Sequence, residues 1–149
     1  MMVAAIRPGD WNVPLFIHVG GAMLLVGALV VVAASMGAAV RRGDGALELT
    51  RLAYRWLLIG VVPSYVLMRV GAELIVSKEG VDEASWVGVG YATADGGLLL
   101  VIIASVLAWR ATRRGPDAPG GLGRAVVVLS GLLLLAYVIA IWAMTTKPG

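Results

Sequence analysis

The sequence contains no cysteine and a single histidine, His18, among its 149 residues. Without cysteine the chain cannot form a disulfide, hold an iron–sulfur cluster or offer a thiolate to a metal ion. With one histidine, a single chain cannot supply both imidazoles of a bis-histidine haem or of a two-histidine zinc site. A nucleophile triad, a phosphate-binding loop and a paired-carboxylate motif are also missing from the sequence. We therefore do not expect an autonomous enzyme.

Charged residues are scarce as well, because they make up 14% of the chain, compared with about 25% in soluble proteins. Hydrophobic residues make up 60%, and the mean hydropathy is +0.91. Four apolar stretches cover residues 13–40, 54–76, 87–109 and 125–145, and each can cross a hydrocarbon core of about 30 Å as a helix. The sequence therefore predicts an all-α fold, an integral membrane up-down four-helix bundle with one transmembrane domain over residues 1–149.

The distribution of basic residues predicts the orientation in the membrane. Those in the first and third connections are Arg41, Arg42, Arg51, Arg55, Arg110, Arg113, Arg114 and Arg124. Outside the spans, the opposite side carries only Arg7, Lys78 and Lys147. The positive-inside rule then places both termini outside, as a multi-pass protein of the cell (cytoplasmic) membrane. We expect the lipid bilayer as a partner and no nucleic acid, because the net charge of +3 reflects topology.

The second span carries a polar stripe inside an apolar segment. Tyr65, Arg69 and Glu73 are spaced four residues apart, so they share one face of a helix. A charge at membrane depth costs about 2.5–3.5 kcal/mol, so Arg69 must face protein, water or a partner charge. The stripe is either a structural salt bridge near the helix end or a binding or proton-handling site.

Ionisable residues from three spans fall at similar depths. His18, Arg69 and Asp95 lie about 8, 10 and 12 Å below the outer ends of their spans at 1.5 Å per residue. The inner halves of the spans are almost purely Leu, Val, Ala and Ile, which disfavours a complete proton pathway. The sequence thus predicts a polar pocket in the extracytoplasmic leaflet. Its predicted ligand-binding residues are Arg69, Glu73, Asp95, Tyr65 and Tyr91.

Three functions fit such a pocket. The first is an accessory or small-ligand-binding protein that holds a small polar or anionic ligand against Arg69, in a cavity opened by a kink at Pro63. The second is a haem or metal-binding redox protein. Its haem would use His18, with Met68, Met23 or Tyr65 as second ligand, and its copper or zinc would use His18, Glu73 and Asp95. The third is a structural subunit whose charges pair internally or with a partner chain.

Gly88, Ala92 and Gly96 form a row of small residues along the third span. Rows of this kind let another membrane helix approach closely. The row predicts either packing inside the bundle or contact with a second copy or another membrane subunit.

The segment Pro14–Met23, PLFIHVGGAM, together with four short spans, resembles copper-resistance-protein-D-like and related small bacterial membrane proteins. Some relatives in that neighbourhood, such as the membrane protoporphyrinogen oxidase, bind haem b through a histidine of the first helix. The resemblance implies His18 as the corresponding cofactor ligand. It does not extend to oxidase activity, because the lysine that the oxidase uses in its third-helix region has no counterpart beyond Lys78 and Lys147.

Overall fold

The computed structural model describes residues 12–42, 44–79, 85–115 and 120–146, and no strand occurs in these ranges. The helices are α1 (Asn12–Arg41), α2 (Ala46–Trp56), α3 (Val62–Glu79), α4 (Ser85–Arg113) and α5 (Gly120–Thr146). A π-helical turn, Leu57–Val61, joins α2 to α3 into one long second span. The predicted all-α class is confirmed. Two of the basic residues that predict the orientation, Arg7 and Lys147, lie outside the described residues.

Four helical segments are long and apolar enough to cross a membrane, which supports a multi-pass membrane protein. Their outer faces are themselves apolar. Phe16, Met23 and Ile59, for example, expose more than 70% of their surface. Exposed apolar surface this extensive is unfavourable in water and normal in lipid.

Each span packs against the spans next to it in the chain, and α1 also packs against α5. Neighbouring helices are therefore antiparallel, as expected for an up-down bundle. One end of the bundle holds the start of α1 and the end of α5, and we call it the terminal end. The other end carries the basic connections, and we call it the arginine end. Which end faces the cytoplasm stays a prediction.

The core follows a seam along α1. Leu25, Leu29, Val32 and Met36 are fully buried, at spacings of three and four residues that keep them on one face. The same buried cluster contains alanines of other spans, Ala53 of α2 and Ala94, Ala104 and Ala108 of α4. Small residues at these positions let the helices approach closely.

Two glycines, Gly21 on α1 and Gly71 on α3, allow these helices to cross in close contact. A Cβ atom added to Gly21 would lie 2.5 Å from the backbone nitrogen of Met68, and one added to Gly71 would overlap the backbone of His18. Neither position tolerates a side chain unless the helices separate. Neither glycine belongs to a repeat of small residues that would have predicted this contact.

The predicted row of small residues on α4 faces away from the bundle. Gly88, Ala92 and Gly96 are all exposed, and nothing in the described part of the chain lies within 4 Å of a Cβ atom built on either glycine. The expectation that this row packs inside the bundle is therefore wrong. A spacing of four residues places small residues on one face but does not say which face it is. Contact with a second copy or another subunit stays a prediction.

The π-helical turn ends two residues before Pro63, and the kink predicted at Pro63 itself stays a prediction. The Val62 N–H bonds to the carbonyl of Leu57, five residues earlier. Pro63 has no N–H to offer the carbonyl of Ile59, so the regular α-helical ladder cannot pass this point unchanged. The preceding helix, α2, leads directly into the turn.

The second and third spans diverge toward the terminal end. Helix α4 packs against α2 at the arginine end, whereas α3 and α4 make few backbone contacts with each other. Side chains must therefore bridge the space between α3 and α4. The predicted site residues lie at this gap.

Candidate functional site

Arg69 of α3 reaches across the gap to α4. Its guanidinium pairs with Glu73, one turn further along the same helix. The Nε atom lies 3.8 Å from Oδ1 of Asp95, and Cζ lies 4.4 Å from the centre of the Tyr91 ring. Arg69 thus makes an ion pair within α3 and both an ion pair and a cation–π contact with α4.

Glu73 makes the second bridge. One of its carboxylate oxygens pairs with Arg69, and the other accepts a hydrogen bond of 3.1 Å from the Tyr91 hydroxyl. Both oxygens are therefore engaged, although 53% of the side chain is exposed. Asp95 is 67% exposed, and its pairing with Arg69 is longer. We call Arg69, Glu73, Tyr91 and Asp95 the polar cluster.

Tyr65 lies one turn below Arg69 on the same helix face and is 6% exposed. The structure therefore brings all five predicted ligand-binding residues into one region, as their spacing and depth led us to expect.

Behind the polar cluster lies a partly open cavity of about 130 Å³, with walls contributed by all four spans. Its walls are almost entirely apolar side chains and small residues. Residues that line it include His18, Ala22, Arg69, Tyr91, Ala94 and Tyr137. A dry cavity of about 150 Å³ accommodates a benzene-sized molecule in other proteins. This cavity therefore fits one small ring or a short hydrocarbon chain.

His18 lines the cavity and is held by the backbone of α3. Its Nδ1 lies 2.9 Å from the carbonyl oxygen of Met68. A carbonyl can only accept, so Nδ1 carries a proton and Nε2 of the neutral ring is left as an acceptor. Among the residues that the structure describes, Nε2 has no hydrogen-bond partner.

Tyr137 of α5 is a cavity residue that the sequence analysis did not identify. It is 6% exposed, and its hydroxyl has no hydrogen-bond partner within the described ranges. The hydroxyl lies against Gly97, where an added Cβ atom would be 3.0 Å from it. The signal in the sequence was a lone polar atom in an apolar span, but an uncharged tyrosine ranks below charged residues as a pointer to a site.

The predicted copper or zinc site does not form in this geometry. In the described parts of the chain, no three His, Asp or Glu side chains lie close enough together to hold a metal ion. Of the predicted second haem ligands, Met23 is 71% exposed, whereas Met68 lines the cavity together with His18. Haem binding through His18 stays a prediction.

Comparison with known proteins gives no match, since no protein-family model, curated protein or solved structure is similar to the chain at a significant level. The resemblance of Pro14–Met23 to copper-resistance-protein-D-like families stays a prediction. The function must therefore be argued from the polar cluster and the cavity themselves.

Proposed function

We propose that this is a multi-pass protein of the cell membrane that binds a small amphipathic molecule in its extracytoplasmic leaflet. The apolar part of the ligand occupies the cavity, and its polar group lies at the polar cluster. The observation that carries the proposal is one apolar cavity, walled by all four spans, whose lining includes Arg69. Arg69 connects the cavity to Glu73 and Asp95, with which it pairs. The protein would act in an accessory or ligand-holding role and not as an enzyme.

The two parts of the site provide different contributions to binding. Apolar surface removed from water stabilises a complex by about 25 cal/mol per Å² and does not discriminate strongly between ligands. Charged and hydrogen-bonding groups fix the orientation of the ligand and select its chemistry. Because the cavity alone is small, the polar cluster must supply most of the selectivity.

The gap between α3 and α4 provides the route to the cavity. The backbones of these helices make few contacts, and the polar cluster bridges them through side chains. Side chains change rotamer much faster than packed helices separate. A ligand dissolved in the outer leaflet can therefore enter sideways when Arg69 and Tyr91 move apart.

A structural subunit is the second candidate, and the same contacts favour it. Arg69, Glu73 and Tyr91 tie α3 to α4 without any ligand. Buried or half-buried charge pairs of this kind fix helix register without performing chemistry. The cavity distinguishes the two candidates, because a purely structural cluster has no need of one.

The proposal is tested with benzyl alcohol, a neutral probe that carries a benzene ring. Binding is measured by calorimetry or ligand-observed NMR on protein in nanodiscs of zwitterionic lipid, with empty nanodiscs as the blank. Ala94 lines the cavity, so Ala94→Phe fills it and should weaken binding at least about tenfold.

Ala92→Phe is the matched control, because the same exchange is made on the same helix at an exposed position. It should bind benzyl alcohol like the unaltered protein. Equal binding by Ala94→Phe would show that the probe does not enter the cavity and would leave the structural candidate in place.

A further inference from the structure

We infer that the polar group of the ligand is a cation, a protonated amine that lies at Asp95, with its apolar part in the cavity. This inference rests on the proposed function and names the class of ligand. It replaces the expectation of an anion held against Arg69.

The charges within the polar cluster do not balance. The polar cluster contains one positive group, Arg69, and two negative groups, Glu73 and Asp95. One negative charge is therefore uncompensated within the cluster. Charges interact more strongly where lipid and protein exclude water, so a cation is attracted to the cluster and an anion is repelled.

The second argument is which groups are still available to a ligand. Both oxygens of Glu73 are engaged, and Arg69 already contacts two carboxylates and an aromatic ring. Asp95 has a single partner, at 3.8 Å, and among the described residues it accepts no hydrogen bond. Its carboxylate is therefore the least satisfied charge in the cluster.

Two of the unoccupied groups are acceptors. Asp95 offers carboxylate oxygens, and the neutral His18 ring offers Nε2, because its Nδ1 donates to Met68. A ligand that satisfies acceptors must bring N–H or O–H donors. A protonated amine brings several donors together with the missing positive charge.

The third argument is the aromatic lining. The rings of Tyr91 and Tyr137 both line the cavity. The face of an aromatic ring carries partial negative charge and attracts cations within about 6 Å. Arg69 already lies over the Tyr91 ring, so of the two rings Tyr137 is the one that has no cation over it among the described residues.

The test compares three probes of nearly the same size that differ in charge. Benzylamine is protonated at pH 7, benzyl alcohol is neutral, and benzoate is an anion. Affinities are measured in nanodiscs of zwitterionic lipid, with empty nanodiscs subtracted for partitioning. We expect benzylamine to bind at least about tenfold more tightly than benzyl alcohol, which corresponds to about 1.4 kcal/mol, and benzoate to bind most weakly.

Variants at Asp95 locate the source of the preference. Asp95→Asn should remove most of the preference for benzylamine over benzyl alcohol, and Asp95→Glu should retain it. Asp44→Asn removes an exposed carboxylate at the arginine end and serves as the matched control. This variant should prefer benzylamine over benzyl alcohol as strongly as the unaltered protein does. If Asp95→Asn does not fold, the three-probe series on the unaltered protein still decides the sign of the charge that is preferred.

The outcomes separate this inference from the proposed function. Binding of benzyl alcohol without a preference for benzylamine would overturn the cation inference alone. Tighter binding of benzoate would do the same and restore Arg69 as an anion site. If none of the three probes binds, both the inference and the proposed function fail.

Discussion

The imidazole of His18 on α1 and the backbone of Met68 on α3 are joined by a hydrogen bond of 2.9 Å, at the point where the two helices cross most closely. The crossing is made possible by Gly71, because any side chain there would overlap the backbone of His18. Position and orientation of the imidazole therefore depend on a glycine of another helix. The first two predictions concern this crossing.

Gly71→Ala should destabilise the protein by about 1–3 kcal/mol, since helices forced apart lose packing on both sides. Thermal unfolding in detergent measures the change. Gly88→Ala, at an exposed position of α4, is the control, and should be neutral or stabilise the helix by up to about 1 kcal/mol. Equal melting temperatures for the two variants would contradict the close crossing.

His18→Ala should cost about 1 kcal/mol, because the hydrogen bond to the Met68 carbonyl is lost. The absorbance spectrum of the same samples tests the haem alternative. We expect no Soret band from either protein. A Soret band that disappears in His18→Ala would overturn the proposed function and make His18 a haem ligand.

Arg69→Leu should leave binding of benzylamine intact, because the carboxylates of Glu73 and Asp95 both remain. The structural candidate predicts a large loss of stability instead, recovered in Arg69→Leu/Asp95→Leu. A double-mutant cycle by thermal unfolding distinguishes the two.

Tyr137→Phe should raise stability by about 1 kcal/mol, because a buried hydroxyl without a partner carries an uncompensated desolvation cost. The variant and the unaltered protein are compared by thermal unfolding in detergent. A lower melting temperature for Tyr137→Phe would show that its hydroxyl has a partner.

The orientation in the membrane is tested with reporters fused after Gly149. Alkaline phosphatase is active only outside the cytoplasm, so this fusion should be active, and a green fluorescent protein fusion should be dark. The arginines of the opposite end, such as Arg41 and Arg110, are the physical reason. A fluorescent fusion without phosphatase activity would invert the orientation and place the polar cluster in the inner leaflet.

Much of the site was predictable because a charged side chain in an apolar helix has few directions in which it can point. Arg69, Glu73 and Asp95 cannot face hydrocarbon at low cost, so equal depth implied that they lie near each other. Their partners were harder to foresee. Equal depth does not show that Asp95 would join Glu73 beside Arg69 and leave excess negative charge, since this depends on how α4 rotates about its axis.

The positions of glycines and neutral tyrosines in the fold were harder to predict from the sequence than those of the charged residues. Gly88 and Gly96 shared a face with Ala92, but the repeat itself does not distinguish an inward from an outward face. Gly21 and Gly71 each serve as a single contact point and form no repeat. Tyr137 is uncharged, so only its depth in the structure shows that its hydroxyl is buried among apolar groups.

The π-helical turn at Leu57–Val61 determines the direction in which the polar stripe points. A π-helical turn contains about one residue more than an α-helical turn, and one residue corresponds to about 100° of rotation about the helix axis. Because the turn takes up this extra residue, the helix beyond it faces α4. If the same residues formed an unbroken α-helix instead, Arg69 and Glu73 would be rotated by about 100° from their present direction relative to α2, although every side chain of the stripe would still be present.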